Sequence, residues 1–88
     1  MNHKKYESLG ENLNPYKRLA NGIVLQAAKD YKFYYRILCR NPNSTDAILK
    51  TQALERFFRS EWFELLTDAS GEYIMERIKK EVQNERLH

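Results

Sequence analysis

Apolar residues recur every three or four positions along the stretch 15–40, which is the spacing of one face of an α-helix. Placed on a helix, they cover about half of its circumference, wide enough to contact two neighbouring helices. Asn14 and Pro15 suit a helix cap and a first helical position, and Asn41-Pro42 ends the pattern. The pattern therefore predicts one long helix, 15–40, on which the other helices pack. Its apolar members are Tyr16, Leu19, Ala20, Ile23, Val24, Ala27, Ala28, Tyr31, Tyr34, Tyr35 and Leu38.

Three shorter helical patterns follow this stretch. The first begins after the polar loop 41–44 and runs to about Arg59. A short helix over 61–66 comes next, either as a separate element or as a continuation with a bend at Ser60. The last helix covers about 70–84. The predicted fold class is all-α, a small bundle of three to four helices around the long helix, with a disordered N-terminal arm.

The chain has 88 residues, which is the size of one domain. We expect residues 1–14 to form a flexible arm, 15–84 a single helical domain and 85–88 a frayed tail. Six Tyr, four Phe and one Trp are many for so short a chain. Either the core is rich in aromatic residues, or some rings cover a partner. A homodimer or a contact with another protein is therefore predicted.

Four aromatic residues lie close together at Phe57, Phe58, Trp62 and Phe63, interleaved with arginines. Rings beside arginines can stack on nucleobases. The same spacing is typical of a core corner, with arginine stems extended outward to water. We favour the core interpretation.

The polar face of the long helix carries a stripe of basic residues. Net charge is +3 for the whole chain, but residues 15–40 carry +5, whereas residues 60–69 carry −3. A solvated helix face explains such a stripe, and so does a footprint for a polyanion. Leu25 and Phe33 fall among these charges and are candidate interface residues. The candidate polyanion-binding residues are Arg18, Lys29, Lys32, Arg36 and Arg40.

A helix-turn-helix over 44–59 and 61–67 is disfavoured, because its second helix would bring Glu61, Glu64 and Asp68 towards phosphates. Asp30 lies at the edge of the apolar arc of the long helix. We expect it to pair with an arginine from another helix.

The residues of catalytic and metal sites are sparse. His3 and His88 lie at the chain ends, Cys39 is the only cysteine, and the three glycines are scattered. No pair of histidines or cysteines has the spacing of a zinc site. We therefore predict no catalytic residue, no metal, no cofactor and no enzymatic activity. No apolar run is long enough for a membrane span, and the N-terminus lacks the apolar centre of a signal peptide. A cytoplasmic protein without membrane contact is expected.

Four segments carry a resemblance: Asn-Pro-Asn-Ser at 41–44, Arg-Phe-Phe-Arg-Ser-Glu-Trp-Phe at 56–63, Leu-Thr-Asp at 66–68 and Gly-Glu-Tyr at 71–73. They resemble a group of small helical proteins that prophages and mobile elements of Gram-positive bacteria encode. The group has no assigned activity, so the resemblance implies no functional residue. It implies a cytoplasmic accessory protein that contacts protein or nucleic acid.

Two hypotheses of function follow. In the first, the chain is a small helical interaction module, a homodimer or a partner of another protein, that serves a phage or mobile element. In the second, it is a DNA-binding protein that uses the basic face of the long helix. An enzyme is the least favoured class.

Overall fold

The computed structural model describes the backbone of residues 2–86 and the side chains of residues 15–86. It contains four helices: α1 (Asn2–Arg40), α2 (Thr45–Phe58), α3 (Glu61–Leu66) and α4 (Gly71–Arg86). No strand occurs in this part of the chain. The predicted all-α fold, with shorter helices around one long helix, is confirmed.

The long helix begins earlier than the prediction placed it. Its helical backbone extends back to Asn2, so Asn14 and Pro15 lie inside α1 and not at its start. Lysines and glutamates before Asn14 are good helix formers, which favours this extension. A flexible arm was predicted for residues 1–14, and the side chains of these residues lie outside the described set. In the predicted tail, Glu85 and Arg86 still belong to α4, and the last two residues lie outside the described range.

A serine begins each of the three shorter helices. Its hydroxyl oxygen accepts a hydrogen bond from the backbone N–H of the third residue of the helix, which satisfies one of the free donors at that end. The distances are 3.3 Å from Ala47 N to Ser44 Oγ, 3.1 Å from Phe63 N to Ser60 Oγ and 3.2 Å from Tyr73 N to Ser70 Oγ. Ser60 therefore separates α2 from α3, which decides between the two alternatives.

The core lies around the second half of α1. Tyr31 is its centre, with a ring that is fully buried. The ring meets Phe58 edge to face at 5.8 Å and stacks beside Tyr35 at 6.0 Å between ring centres. Such aromatic pairs add to the stabilisation that burial alone provides. The other buried members of this cluster are Ala27, Phe63, Met75, Ile78 and Val82.

A polar chain leads from this core to the surface. The Tyr31 hydroxyl donates to Glu55 Oε2 at 2.8 Å, which satisfies the one polar atom of the buried ring. Glu55 Oε1 lies 3.8 Å from Arg59 Nη1, and Arg59 Nε donates to Glu72 Oε1 at 2.6 Å. Burial, followed by the bond to Glu55, raises the pKa of Tyr31 above its usual range. The Tyr31 ring and the charged groups of Glu55, Arg59 and Glu72 thus connect α1, α2 and α4.

Gly71 allows α4 to begin against the end of α2. It is buried, and a Cβ at this position would overlap the carbonyl oxygen of Phe58. A backbone atom cannot move aside as a flexible side chain would. Any other residue at position 71 would therefore push the two helices apart.

We expect Gly71→Ala to destabilise the protein by about 1–3 kcal/mol, because the added methyl group overlaps the Phe58 backbone. The matched control is Gly22→Ala, which lies inside α1 with no atom within 4 Å of the added Cβ. Since alanine favours helix over glycine, the control should stabilise by up to about 1 kcal/mol. Urea unfolding followed by circular dichroism measures both changes. Equal stability of Gly71→Ala and the unmodified chain would contradict the close contact.

We expect Tyr31→Phe to cost about 1–2 kcal/mol, because it removes the donor from a partly buried carboxylate. Tyr35→Phe is the control, since the Tyr35 hydroxyl makes only an exposed hydrogen bond of 3.3 Å with Gln83. Its effect should stay below about 0.5 kcal/mol. A double-mutant cycle with Glu55→Gln isolates the pair. Additive effects of the two substitutions would show that the bond does not contribute.

Candidate interaction surface

Helix α1 is longer than the bundle that packs on it. Its 39 residues correspond to about 58 Å at the helical rise, close to the 61 Å long dimension of the molecule. None of the residues 15–26 is buried, and Ala27 is the first buried residue of α1 in the described set. The described stretch 15–26 of α1 is therefore poorly covered by the other three helices, and we call this stretch the uncovered half of α1.

The apolar stripe of α1 continues into this uncovered half. Tyr16 is 72 % exposed and Leu19 is 64 % exposed, although both lie on the side of the helix that carries Ile23 and the buried Ala27. Ile23 is half-buried and joins the two parts. A helix face with this pattern normally packs against another element. We call Tyr16, Leu19 and Ile23 the free seam.

A groove opens where the free seam meets the bundle. Its volume is about 340 Å³. Trp62 lines the groove, with 55 % of its side chain exposed. The Trp62 ring meets the Phe57 ring edge to face at 5.5 Å between ring centres. The groove is lined by Ile23, Gln26, Ala27, Asp30, Leu54, Phe57 and Trp62.

Two predictions about these residues need correction. The interpretation of the aromatic stretch as core holds for Phe58 and Phe63, which are buried, but not for Trp62. Trp62 occupies the second position of a helix of only six residues, and α3 is too short to turn every ring inward. The expected arginine partner of Asp30 is also not observed among the described side chains. Asp30 instead accepts a hydrogen bond of 2.9 Å from Gln26, one turn earlier on α1.

The candidate interface residues Leu25 and Phe33 are both exposed, at 56 % and 55 %. They are eight positions apart, about 12 Å along the helix axis, on the side of α1 turned away from the core. The Phe33 ring meets the ring of the neighbouring Tyr34 edge to face, at 5.1 Å between ring centres. The structure therefore places them as two separate apolar spots rather than as one patch.

Part of the basic stripe is engaged within the molecule. Lys32 Nζ lies 3.4 Å from Glu81 and 3.5 Å from Glu85 on α4. Arg36 binds Glu85 with two parallel hydrogen bonds of 2.8 Å each. A bidentate pair of this kind is the strongest form of surface ion pair. Two of the five charges predicted to bind a polyanion are therefore balanced by acids of the same chain.

The other three members of the stripe, Arg18, Lys29 and Arg40, are exposed. They are spread over 22 residues, about 33 Å of helix. Binding to a polyanion would depend mainly on these three, or would require Lys32 and Arg36 to leave their acidic partners. The polyanion hypothesis stays a prediction, with less available charge than the sequence indicated.

Acidic and apolar residues share the surface of α3 and the turn after it. Glu61, Glu64 and Asp68 are exposed, and no basic residue occurs between 60 and 70. Leu65, on the same short helix, is 85 % exposed, the highest value among the large apolar side chains that the structure describes. This surface is opposite in charge to the start of the uncovered half of α1, where Lys17 and Arg18 lie.

Within the described residues, no group of three or more histidine, cysteine, aspartate or glutamate side chains could hold a metal ion. Cys39 is half-buried near the end of α1 and packs against the core. Over the same part of the chain, no helix combines the length and the apolar character that crossing a membrane requires.

No protein-family model, curated protein or solved structure matches the chain. The resemblance to proteins of prophages and mobile elements therefore stays a prediction. The surface itself must carry any argument about function.

Sequence reasoning assigned Tyr16 and Leu19 to packing within the molecule, and missed that the rest of the chain does not reach them. The lengths of the predicted helices could have shown this. Helices α2, α3 and α4 have 14, 6 and 16 residues, so none of them can run along the full length of α1. Part of a long apolar stripe must then remain uncovered.

The ion pair between Arg36 and Glu85 predicts that the stability of the folded protein depends on pH. Arg36 lowers the pKa of Glu85 to about 2 from an ordinary 4.5. Because this pKa is lowered on folding, the stabilisation is complete above about pH 4.5 and is lost as the pH falls through 2. Carboxyl carbon chemical shifts in an NMR titration report the midpoint for Glu85.

Arg36→Gln should return the Glu85 midpoint towards its ordinary value. Arg77→Gln is the matched control, since Arg77 lies on α4 and pairs with Glu81 at 3.6 Å. It should leave the Glu85 midpoint near 2. An ordinary midpoint for Glu85 in the unmodified chain would show that the pair does not persist in solution.

Proposed function

We propose that the chain is a small helical interaction module that binds protein partners through the free seam of α1 and the adjoining groove. In this role it serves as a cytoplasmic accessory protein of a phage or mobile element. The observation that carries the proposal is the exposure of Tyr16 and Leu19 on the face of α1 that continues through Ile23 to the buried Ala27.

The energetic argument concerns apolar surface. Burial of a leucine or an aromatic side chain contributes about 1.5–3 kcal/mol relative to leaving it in water. Single exposed apolar residues are ordinary, but a contiguous apolar strip that ends in a groove marks a contact site. Tyr16, Leu19, Ile23 and Trp62 form such a strip, because Ile23 and Trp62 line the same groove.

The composition of the strip also suits a protein partner. Tyrosine and tryptophan bring large rigid surfaces and a polar atom each, and both are enriched where partners bind most strongly. Gln26 and Asp30 place an amide and a carboxylate in the groove, where they can orient a partner by hydrogen bonds. A helix laid into such a groove is a common mode of recognition.

The experiment is site-specific photo-crosslinking in the cells that naturally make the protein. A photoreactive phenylalanine analogue replaces Leu19 in one variant and Gln52 in a matched control. Gln52 is exposed on the side of α2 opposite the groove residues Leu54 and Phe57. We expect a discrete cross-linked protein, either another copy of this chain or a different one, from position 19 and not from position 52. Absence of any cross-link at position 19, with the protein folded and expressed, would contradict the proposal.

A further inference from the structure

The spacing of the free seam identifies the kind of partner it fits. Tyr16, Leu19, Ile23 and Gln26 are separated by three, four and three residues. This is the spacing of the contact positions in a coiled coil, where two helices pack side by side along a narrow seam. Ala27 and Tyr31, in contrast, continue the wider stripe that α2 and α4 cover. The exposed part of α1 thus has the pattern of a helix that pairs with one further helix.

The seam is complementary to itself when two copies run antiparallel. In a two-fold symmetric pair, each contact between two positions occurs twice. One register places Leu19 of each copy opposite Ile23 of the other copy, with the two-fold axis midway between them. The same register places Tyr16 of each copy opposite Gln26 of the other copy. The three residues of the free seam and Gln26 are then all used.

This register brings a projecting side chain to each groove. Tyr16 is among the most exposed large apolar residues of the described chain, and Gln26 lies on the groove wall beside Trp62 and Phe57. The Tyr16 ring of one copy would enter the groove of the other copy. Its hydroxyl would be near Gln26 and Asp30, which can pair with it. Helix and groove therefore complement each other at both ends of the same seam.

The charges around the seam are complementary as well. The start of the uncovered half carries Lys17 and Arg18 and no acid between 15 and 29, whereas α3 carries Glu61 and Glu64 and no base. An antiparallel pair lays the basic half of each copy along the groove side of the other copy, where α3 is located. Opposite charges in this position favour the antiparallel over the parallel arrangement.

We infer that the occupant of the free seam is a second copy of this chain, and that the protein forms an antiparallel homodimer through Tyr16, Leu19, Ile23 and the groove. This inference rests on the proposed function and names the partner of the same surface. It differs from the interface at Leu25 and Phe33 that the sequence indicated, since neither residue belongs to the free seam and Leu25 lies on the opposite side of α1.

The test compares two leucine substitutions on the same helix in the purified full chain. Leu19→Glu places a charge in the seam, and Leu25→Glu places the same charge at an equally exposed leucine on the other face. Both side chains are largely in water in the single copy, so circular dichroism and the thermal midpoint should change little in either. Sedimentation velocity across a micromolar to millimolar range of concentration gives the dimer Kd.

We expect the unmodified chain and Leu25→Glu to dimerise with Kd values within about threefold of each other. Leu19→Glu should raise the Kd by at least about 100-fold, because one buried leucine is lost at each of the two symmetric contacts. Trp62 is the only tryptophan, so its fluorescence reports on the groove. Its emission should shift to shorter wavelength as the unmodified chain dimerises and should not shift in Leu19→Glu.

Three results would overturn the inference: a monomer at every concentration, a dimer that Leu25→Glu weakens and Leu19→Glu does not, or equal weakening by both. These results are distinct from a failure of the proposed function. A monomeric chain that still cross-links to a different protein at position 19 would exclude the homodimer and retain the interaction surface.

Discussion

Burial of the Tyr31 ring is the constraint on which the rest of the structure depends. A tyrosine without solvent contact needs apolar neighbours around the ring and one partner for its hydroxyl. Phe58 meets the ring edge to face, and Glu55 accepts from the hydroxyl at 2.8 Å. Both partners come from α2, so the ring fixes how α2 lies on α1. Arg59 then links Glu55 to Glu72 and thereby brings the start of α4 to the same place.

The close packing around this ring also explains why part of α1 stays uncovered. The start of α4 lies against the carbonyl group of Phe58, where only a glycine fits, and α4 returns beside the second half of α1. Its acids Glu81 and Glu85 then meet Lys32 and Arg36. With all three short helices gathered around the second half of α1, none remains for Tyr16 and Leu19. The free seam is thus a consequence of the way the core closes.

The same arrangement changes the relative merit of the two functional hypotheses. The basic stripe is partly neutralised by α4, which lowers the electrostatic attraction that a polyanion would feel. The apolar seam, in contrast, is more exposed than the sequence indicated, and it adjoins a groove that contains the only tryptophan. Protein contact through α1 therefore has more structural support than nucleic-acid contact. The two faces lie on different sides of the helix, so substitutions can separate them.

The sequence by itself determined the all-helical class and the approximate ranges of the helices apart from the start of α1, because the apolar period and the Asn41-Pro42 stop act over a few residues. It also predicted the central place of α1 and most of the core. It did not determine which half of the apolar stripe would be covered, that Trp62 would face a groove, or that Lys32 and Arg36 would find acids 49 residues away. These features depend on where separate helices meet in space. Periodicity shows that a face is apolar, but only the tertiary structure decides what covers it, because coverage depends on the lengths and directions of all four helices together.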